Sequence, residues 1–164
     1  MTHTVLAPLP TGTSDFETLR DRGQIYVDKT ALIYKLASRS EKFFLTRPRR
    51  FGKSLLVSTF ASLFKNGLKY FSGLAIEKLW KDTTYNVVEI DFSEIKNITG
   101  FEDFKKQLNE TLESAFKPLG FELDRSSDIS LMKQLSAWMK TIALNSVVLL
   151  IDEYDSPLTA CLGD

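Results

Sequence analysis

The nine residues VVLLIDEYD, Val147 to Asp155, decide how this chain is read. Val147 to Ile151 are five consecutive apolar residues. A central strand of a parallel sheet needs such a run, because both of its faces are covered. The run stops at two carboxylates, and open α/β sheets bind their ligands at the C-terminal ends of their strands. In many phosphate-loop enzymes an Asp after an apolar strand holds Mg²⁺, and a carboxylate beside it can orient or deprotonate an attacking water. Asp152 and Glu153 stand at the positions for those two roles. Taken alone, they are also an ordinary acidic strand end.

About 100 residues upstream lies the second half of that pattern, TRPRRFGKSLLVSTF from Thr46 to Phe60. Gly52-Lys53-Ser54 matches the end of a phosphate loop. The short apolar run Lys42 to Thr46 suits a buried strand before it, and Leu56, Phe60, Leu63 and Phe64 recur at helical spacing after it. Strand, loop and helix in that order are the context the motif requires. Gly52 lets the backbone approach a phosphate, Lys53 can reach the β and γ phosphates, and the Ser54 hydroxyl can ligate Mg²⁺. The full pattern places a glycine where this chain has Arg47, and Pro48 restricts Arg47 towards extended conformations. The early loop must therefore be shaped differently. A rival reading takes Arg47, Arg49 and Arg50 as a basic patch for nucleic acid.

Other elements fill the interval. An irregular arm is expected over the first fifteen residues, rich in Thr, Pro and Gly. Ile25 to Val27 reads as extended, followed by a helix with Asp28 as N-cap and Leu32, Ile33 and Leu36 as its apolar face. Asn66-Gly67 should stop the helix that begins at Lys53. Tyr85 to Ser93 reads as a strand ending near Asp91, which either joins the acids of the sheet edge or caps the next turn. Thr99 and Glu102 have capping-box spacing. A stripe of Phe101, Phe104, Leu108, Leu112 and Ala115 marks one helix, and Leu131, Leu135, Trp138, Met139 and Ile142 mark another. Strands alternating with helices give an α/β fold.

Composition narrows the chemistry. The chain has 164 residues, 43% of them hydrophobic and 12% aromatic, which fits a folded protein with a core. Its 21 basic and 21 acidic residues cancel, so any anion site must be local. His3 is the only histidine and Cys161 the only cysteine, which leaves no histidine acid–base chemistry, no intrachain disulfide and no Cys-based metal cluster. No stretch is long enough to span a membrane and Met1 to Pro10 lack a signal-peptide pattern, so a cytoplasmic location is the expectation.

The segments GTSDFETLRDRGQIYVDKTALIYKL, FFLTRPRRFGKSLLVSTF, VVEIDFS and VVLLIDEYDSPL, in this order, resemble the AAA-ATPase-like family of bacterial and archaeal proteins, from about Thr11 to Leu158. The phosphate loop of that family reads Arg-Pro-Arg-Arg-Phe-Gly-Lys-Ser, so Arg47 is its own variant. The resemblance implies a three-layer P-loop NTPase of the additional-strand, catalytic-glutamate type, with ATP and Mg²⁺ as cofactors. It implies an arm over residues 1–24 and a core over residues 25–164 that stops, incomplete, after the acid-bearing strand. Lys53 and Glu153 would be catalytic. Arg49, Arg50, Phe51, Gly52, Lys53, Ser54 and Leu55 would bind nucleotide, and Ser54 and Asp152 would hold the metal. The Tyr26-Val27-Asp28-Lys29-Thr30 motif is typical of the family and is expected near the nucleotide base. Full-length members often carry a nuclease-like domain of the PD-(D/E)XK type, which would make DNA a partner. A sensor strand and an arginine finger would come later, so the chain as it stands is expected to bind nucleotide and hydrolyse it poorly. Its last strand should need self-association or a partner to cover an exposed sheet edge. The alternatives are a nucleic-acid-binding module working through the arginine loop and an interaction protein that keeps the fold without turnover.

Overall fold

Aromatic and aliphatic side chains gather around two separate centres in the computed structural model, which describes residues 7–39, 41–46, 48, 50–81 and 83–157. The chain accordingly forms two compact units, Met1–Tyr85 and Asn86–Asp164.

The first unit is helical. Residues 7–15 form no helix or strand, and α1 then runs from Phe16 to Asp21 within the stretch expected to be an arm. Asp15 caps it, its carboxylate accepting the Thr18 N–H at 2.7 Å. The helix exists to insert two side chains, Phe16 and Leu19, which are fully buried. Complete burial of a side chain like Phe16 stabilises by about 3 kcal/mol. Phe16 lies 4.7 Å from the Phe71 ring, centroid to centroid. Arg20 secures the other end, donating from Nε to Tyr70 O at 3.0 Å and from Nη2 to Ser72 O at 2.6 Å. Helix α2 spans Thr30–Ala37 and α3 spans Lys53–Asn66, as the apolar spacing predicts. Gly67 stops α3 at φ 60, its N–H donating to Leu63 O. A 3₁₀ turn over Ala75–Lys78 adds Ile76 to a core of Phe16, Ile33, Leu63, Phe71 and Leu74.

One expected element is absent. Residues 42–46 form no strand, and Phe43, Phe44 and Leu45 are exposed. A strand is made by its ladder, and among the described residues the only strands lie in the second unit. An apolar run alone supplies no partner for its N–H and C=O groups.

The second unit is a β-α-α-β arrangement. Strand β1, Asn86–Asp91, pairs in parallel with β2, Val147–Asp152, in a register running from Asn86 opposite Val147 to Asp91 opposite Asp152. Helices α4 (Phe101–Phe116) and α5 (Leu131–Met139) fill the crossover. Val88 and Ile90 of β1 meet Leu112, Phe116, Phe121, Leu131 and Leu135 in the core, and Trp138 sets its ring edge-on to Phe121 at 5.6 Å. The fold class is therefore α/β with a small parallel sheet, as expected.

Three details differ from the sequence reading. Phe101 is 73% exposed and lies off the buried stripe, because it is the first residue of α4 and precedes the turn that meets β1. The box partner of Thr99 is Asp103, which accepts both the Thr99 N–H at 3.0 Å and its hydroxyl at 3.2 Å, and not Glu102. With Gly100 at the N-cap, Asp103 is the first-turn acid that faces back towards Thr99. Helix α5 ends at Met139, leaving Ile142 outside it. No helix among the described residues is long and apolar enough to cross a membrane.

Candidate functional site

In the first unit the candidate residues converge on the start of α3. Gly52 is the N-cap, in the left-handed region at φ 73 and ψ 30. A Cβ there would meet nothing within 4 Å, so the dihedral and not the space demands glycine. Arg50, two residues earlier, also has a positive φ, 66. The loop that lacks its first glycine thus turns at residues 50 and 52. Arg47 and Arg49 lie outside the described residues, as do His3 and Cys161.

The helical ladder begins with Leu56 N–H donating to Gly52 O at 3.0 Å. The N–H groups of Lys53, Ser54 and Leu55 precede that bond, and no side chain caps them. An uncapped first turn carries the positive end of the helix dipole, which suits an anion. Lys53 and Ser54 are half-buried there, and neither the ammonium nor the hydroxyl has a partner among the described residues. Arg50 and Phe51 are exposed beside them. Leu55 turns its side chain onto the core of the unit, so what it presents to the turn is its backbone N–H.

In the second unit the acids stand at the end of β2. Asp152 is the last strand residue and is half-buried; its Oδ1 accepts the Glu153 N–H at 2.9 Å. Glu153 takes the left-handed region at φ 51, uncommon for a residue with a Cβ and costing about 1–2 kcal/mol. The chain then turns at once, Ser156 N–H donating to Glu153 O at 2.9 Å. The strand alternation therefore ends at Glu153, just beyond the last residue of β2. Asp91 lies beside Asp152 in the parallel register, and its Oδ1 accepts the Ser93 N–H at 2.8 Å, capping the 3₁₀ turn that follows β1. Of the two roles open to Asp91 in the sequence, the capping contact is made.

The Tyr26–Thr30 stretch makes a third group, within the first unit. The Asp28 carboxylate accepts the Thr30 N–H at 2.8 Å and its hydroxyl at 2.6 Å on one oxygen, and the Ala75 N–H at 2.7 Å on the other. The buried Thr30 hydroxyl in turn accepts the Ile76 N–H at 3.0 Å. Asp28 and Thr30 therefore cap α2 and the 3₁₀ turn together, although Lys29 is the geometric N-cap of α2. Burial works to raise the Asp28 pKa, but the bonds from Thr30 and Ala75, with the Arg20 charge, hold it below the usual carboxylate value. Tyr26 packs edge-on to Phe16 at 5.0 Å. Burial raises its phenol above the ordinary value, opposed by a hydrogen bond with the Thr59 side chain. The described contacts of the motif are thus with the core and backbone of its own unit. Sequence spacing did not disclose Ser58 and Thr59 as its counterparts on α3, since both are short polar residues in a helix with no local signal.

A family model described as "Predicted AAA-ATPase" matches residues 10–164. An "Uncharacterized protein in vnfD 5'region" from Azotobacter chroococcum mcd 1 is 32% identical over 152 residues, covering 92% of this chain. The chain spans 29% of the length of that curated relative. No solved structure matches the chain.

Proposed function

The chain belongs to the AAA-ATPase-like family, and from that premise we propose that it is an ATP-binding module, the N-terminal part of an ATPase with a three-layer P-loop fold of the catalytic-glutamate type. The observation that carries the reading is the uncapped first turn of α3, opened by a left-handed Gly52 and carrying Lys53 and Ser54 without partners among the described residues. Three N–H groups and an ammonium are what a triphosphate requires.

Each unit, taken by itself, also carries a residue type that suits Mg²⁺: a hydroxyl at Ser54 in the first, and in the second a half-buried carboxylate at Asp152 with its Oδ2 uncommitted by any described bond. When bound, the ion neutralises charge on the β and γ phosphates. Lys53 binds the phosphate oxygens. Glu153, the residue after Asp152, orients a water and accepts its proton. Arg50 and Phe51, exposed beside that turn, flank the nucleotide, and Arg49 is assigned to it by its place in the motif alone. Hydrolysis then drives an attached effector, such as a nuclease-like region acting on DNA. Leu149 and Ile151 of β2 are 48% and 42% exposed on one face of the strand, which favours a further element or a partner packed against that face.

Thermal unfolding with and without Mg·ATP tests the reading. A ligand at a hundred times its Kd stabilises by about 2.7 kcal/mol, which raises the Tm by roughly 5–10 °C in a chain of this size. Lys53→Ala should abolish the shift. Glu153→Gln should keep it and lose any phosphate release. A folded chain that shows no shift at millimolar Mg·ATP refutes the proposal.

A further inference from the structure

The ATP-site reading leaves Tyr26-Val27-Asp28-Lys29-Thr30 without a task. Its contacts nevertheless lead to the phosphate-facing helix by two routes. The Tyr26 ring stands edge-on to Phe16 at 5.0 Å, and the Phe16 N–H donates to Ser58 Oγ on α3 at 2.9 Å. The Ser58 hydroxyl lies 3.1 Å from both Ser14 O and Leu55 O, so the chain before α1 and the first turns of α3 meet at one side chain. One residue on, Thr59 is fully buried; it donates to Leu55 O at 2.6 Å and meets the Tyr26 hydroxyl. Asp28 and Thr30 hold the other end of the motif on the 3₁₀ turn at Ala75 and Ile76. Both routes end at Leu55, whose N–H belongs to the uncapped turn.

We propose that this motif is a clasp that positions α3, with Tyr26 as the positioning residue that fixes the helix's first turn through Phe16, Ser58 and Thr59. The inference rests on the ATP-site reading, because a helix start needs fixing only if its N–H groups must meet a ligand. Tyr26 touches no reacting atom. It acts by keeping three donors aimed, so that binding does not have to order them.

Two measurements on the full chain test this, with Tyr26→Phe, which keeps the ring and loses the hydroxyl, and with Ser58→Ala. Amide hydrogen exchange without nucleotide should be several-fold faster at residues 56–60, the first amides of the α3 ladder, in both variants. The Kd for Mg·ATP by calorimetry should rise several-fold in both, while Leu112→Ala, a core truncation in the other unit, lowers the Tm and leaves the Kd alone. Unchanged exchange at residues 56–60 overturns the clasp. Faster exchange with the wild-type Kd reduces the motif to a packing element and overturns the positioning role. A wild-type chain that binds no Mg·ATP removes the ATP-site reading, and the positioning role with it, whatever the exchange shows.

Discussion

Glu153 sits in a conformation that costs energy, held at the turn where its N–H donates to Asp152 Oδ1 and its carbonyl accepts the Ser156 N–H. Glycine adopts φ 51 freely, whereas any side chain with a Cβ pays about 1–2 kcal/mol there. Glycine in turn gives back roughly 0.5–1 kcal/mol through the entropy of the unfolded chain. Glu153→Gly should therefore be more stable than Glu153→Ala, by up to about 1.5 kcal/mol, while both lose whatever turnover the chain has. Differential scanning calorimetry of the pair decides it. If Glu153→Ala melts at or above Glu153→Gly, the dihedral is not strained and the carboxylate is placed by something else. Gly52 makes the opposite case: it is left-handed with open space around it, so Gly52→Ala should cost stability through its dihedral alone.

At the scale of elements, Asp28 joins the starts of α2 and the 3₁₀ turn, and its lowered pKa gives that junction a pH dependence. A carboxylate with a folded pKa below its unfolded value contributes stability that is fully present above the unfolded value, about 3.9, and is lost as pH falls through the folded one. Asp103 and Asp124 are lowered for similar reasons, chiefly the Thr99 N–H in one case and the Ser126 hydroxyl in the other, so all three weaken the fold in the same direction below about pH 4. Asp28→Asn keeps one acceptor and loses the ionised one. It should cost about 1 kcal/mol at pH 7, as the loss of the hydrogen bond from the Ala75 N–H does, and should flatten the fall of Tm between about pH 4 and pH 3. Melting curves parallel to wild type across that range would remove Asp28 from the acid response. These caps also show what the sequence discloses. Helices α3, α4 and α5 were legible because burial of one face imposes a period on the residues, and strand β2 because of its unbroken apolar run, although Leu149 and Ile151 are exposed and not covered as a central strand's would be. Helix α1 was not, since six residues with two buried side chains carry too little pattern. Neither was the fate of residues 42–46, where an apolar run meets no ladder, nor the choice of Asp103 over Glu102, which turns on where the helix begins. The candidate residues were legible as motifs; the left-handed turns at Arg50 and Glu153 and the partners of Tyr26 were not, because they depend on the folded backbone and on residues far away in sequence.

For the molecule as a whole, charge separates a nucleotide site from a nucleic-acid surface. The 21 basic residues are matched by 21 acidic ones, so no long-range field draws the chain to DNA. The cluster Arg47, Arg49, Arg50 and Lys53 is the densest basic stretch, and it could neutralise about four phosphates. Such a contact would lose affinity with a log–log salt slope of about −3.6, or roughly a hundredfold between 50 and 200 mM salt. A single triphosphate held by three backbone N–H groups and one lysine does not depend on counterion release in this way. Fluorescence anisotropy with a labelled duplex should therefore show no nucleotide-independent binding at about 150 mM salt and micromolar protein, and Arg49→Ala with Arg50→Ala should change nothing there. A micromolar Kd with a slope near −3.6, abolished by those two substitutions and indifferent to Mg·ATP, would reverse the assignment. The arginines would then be the site, and Gly52-Lys53-Ser54 only the helix start beside it.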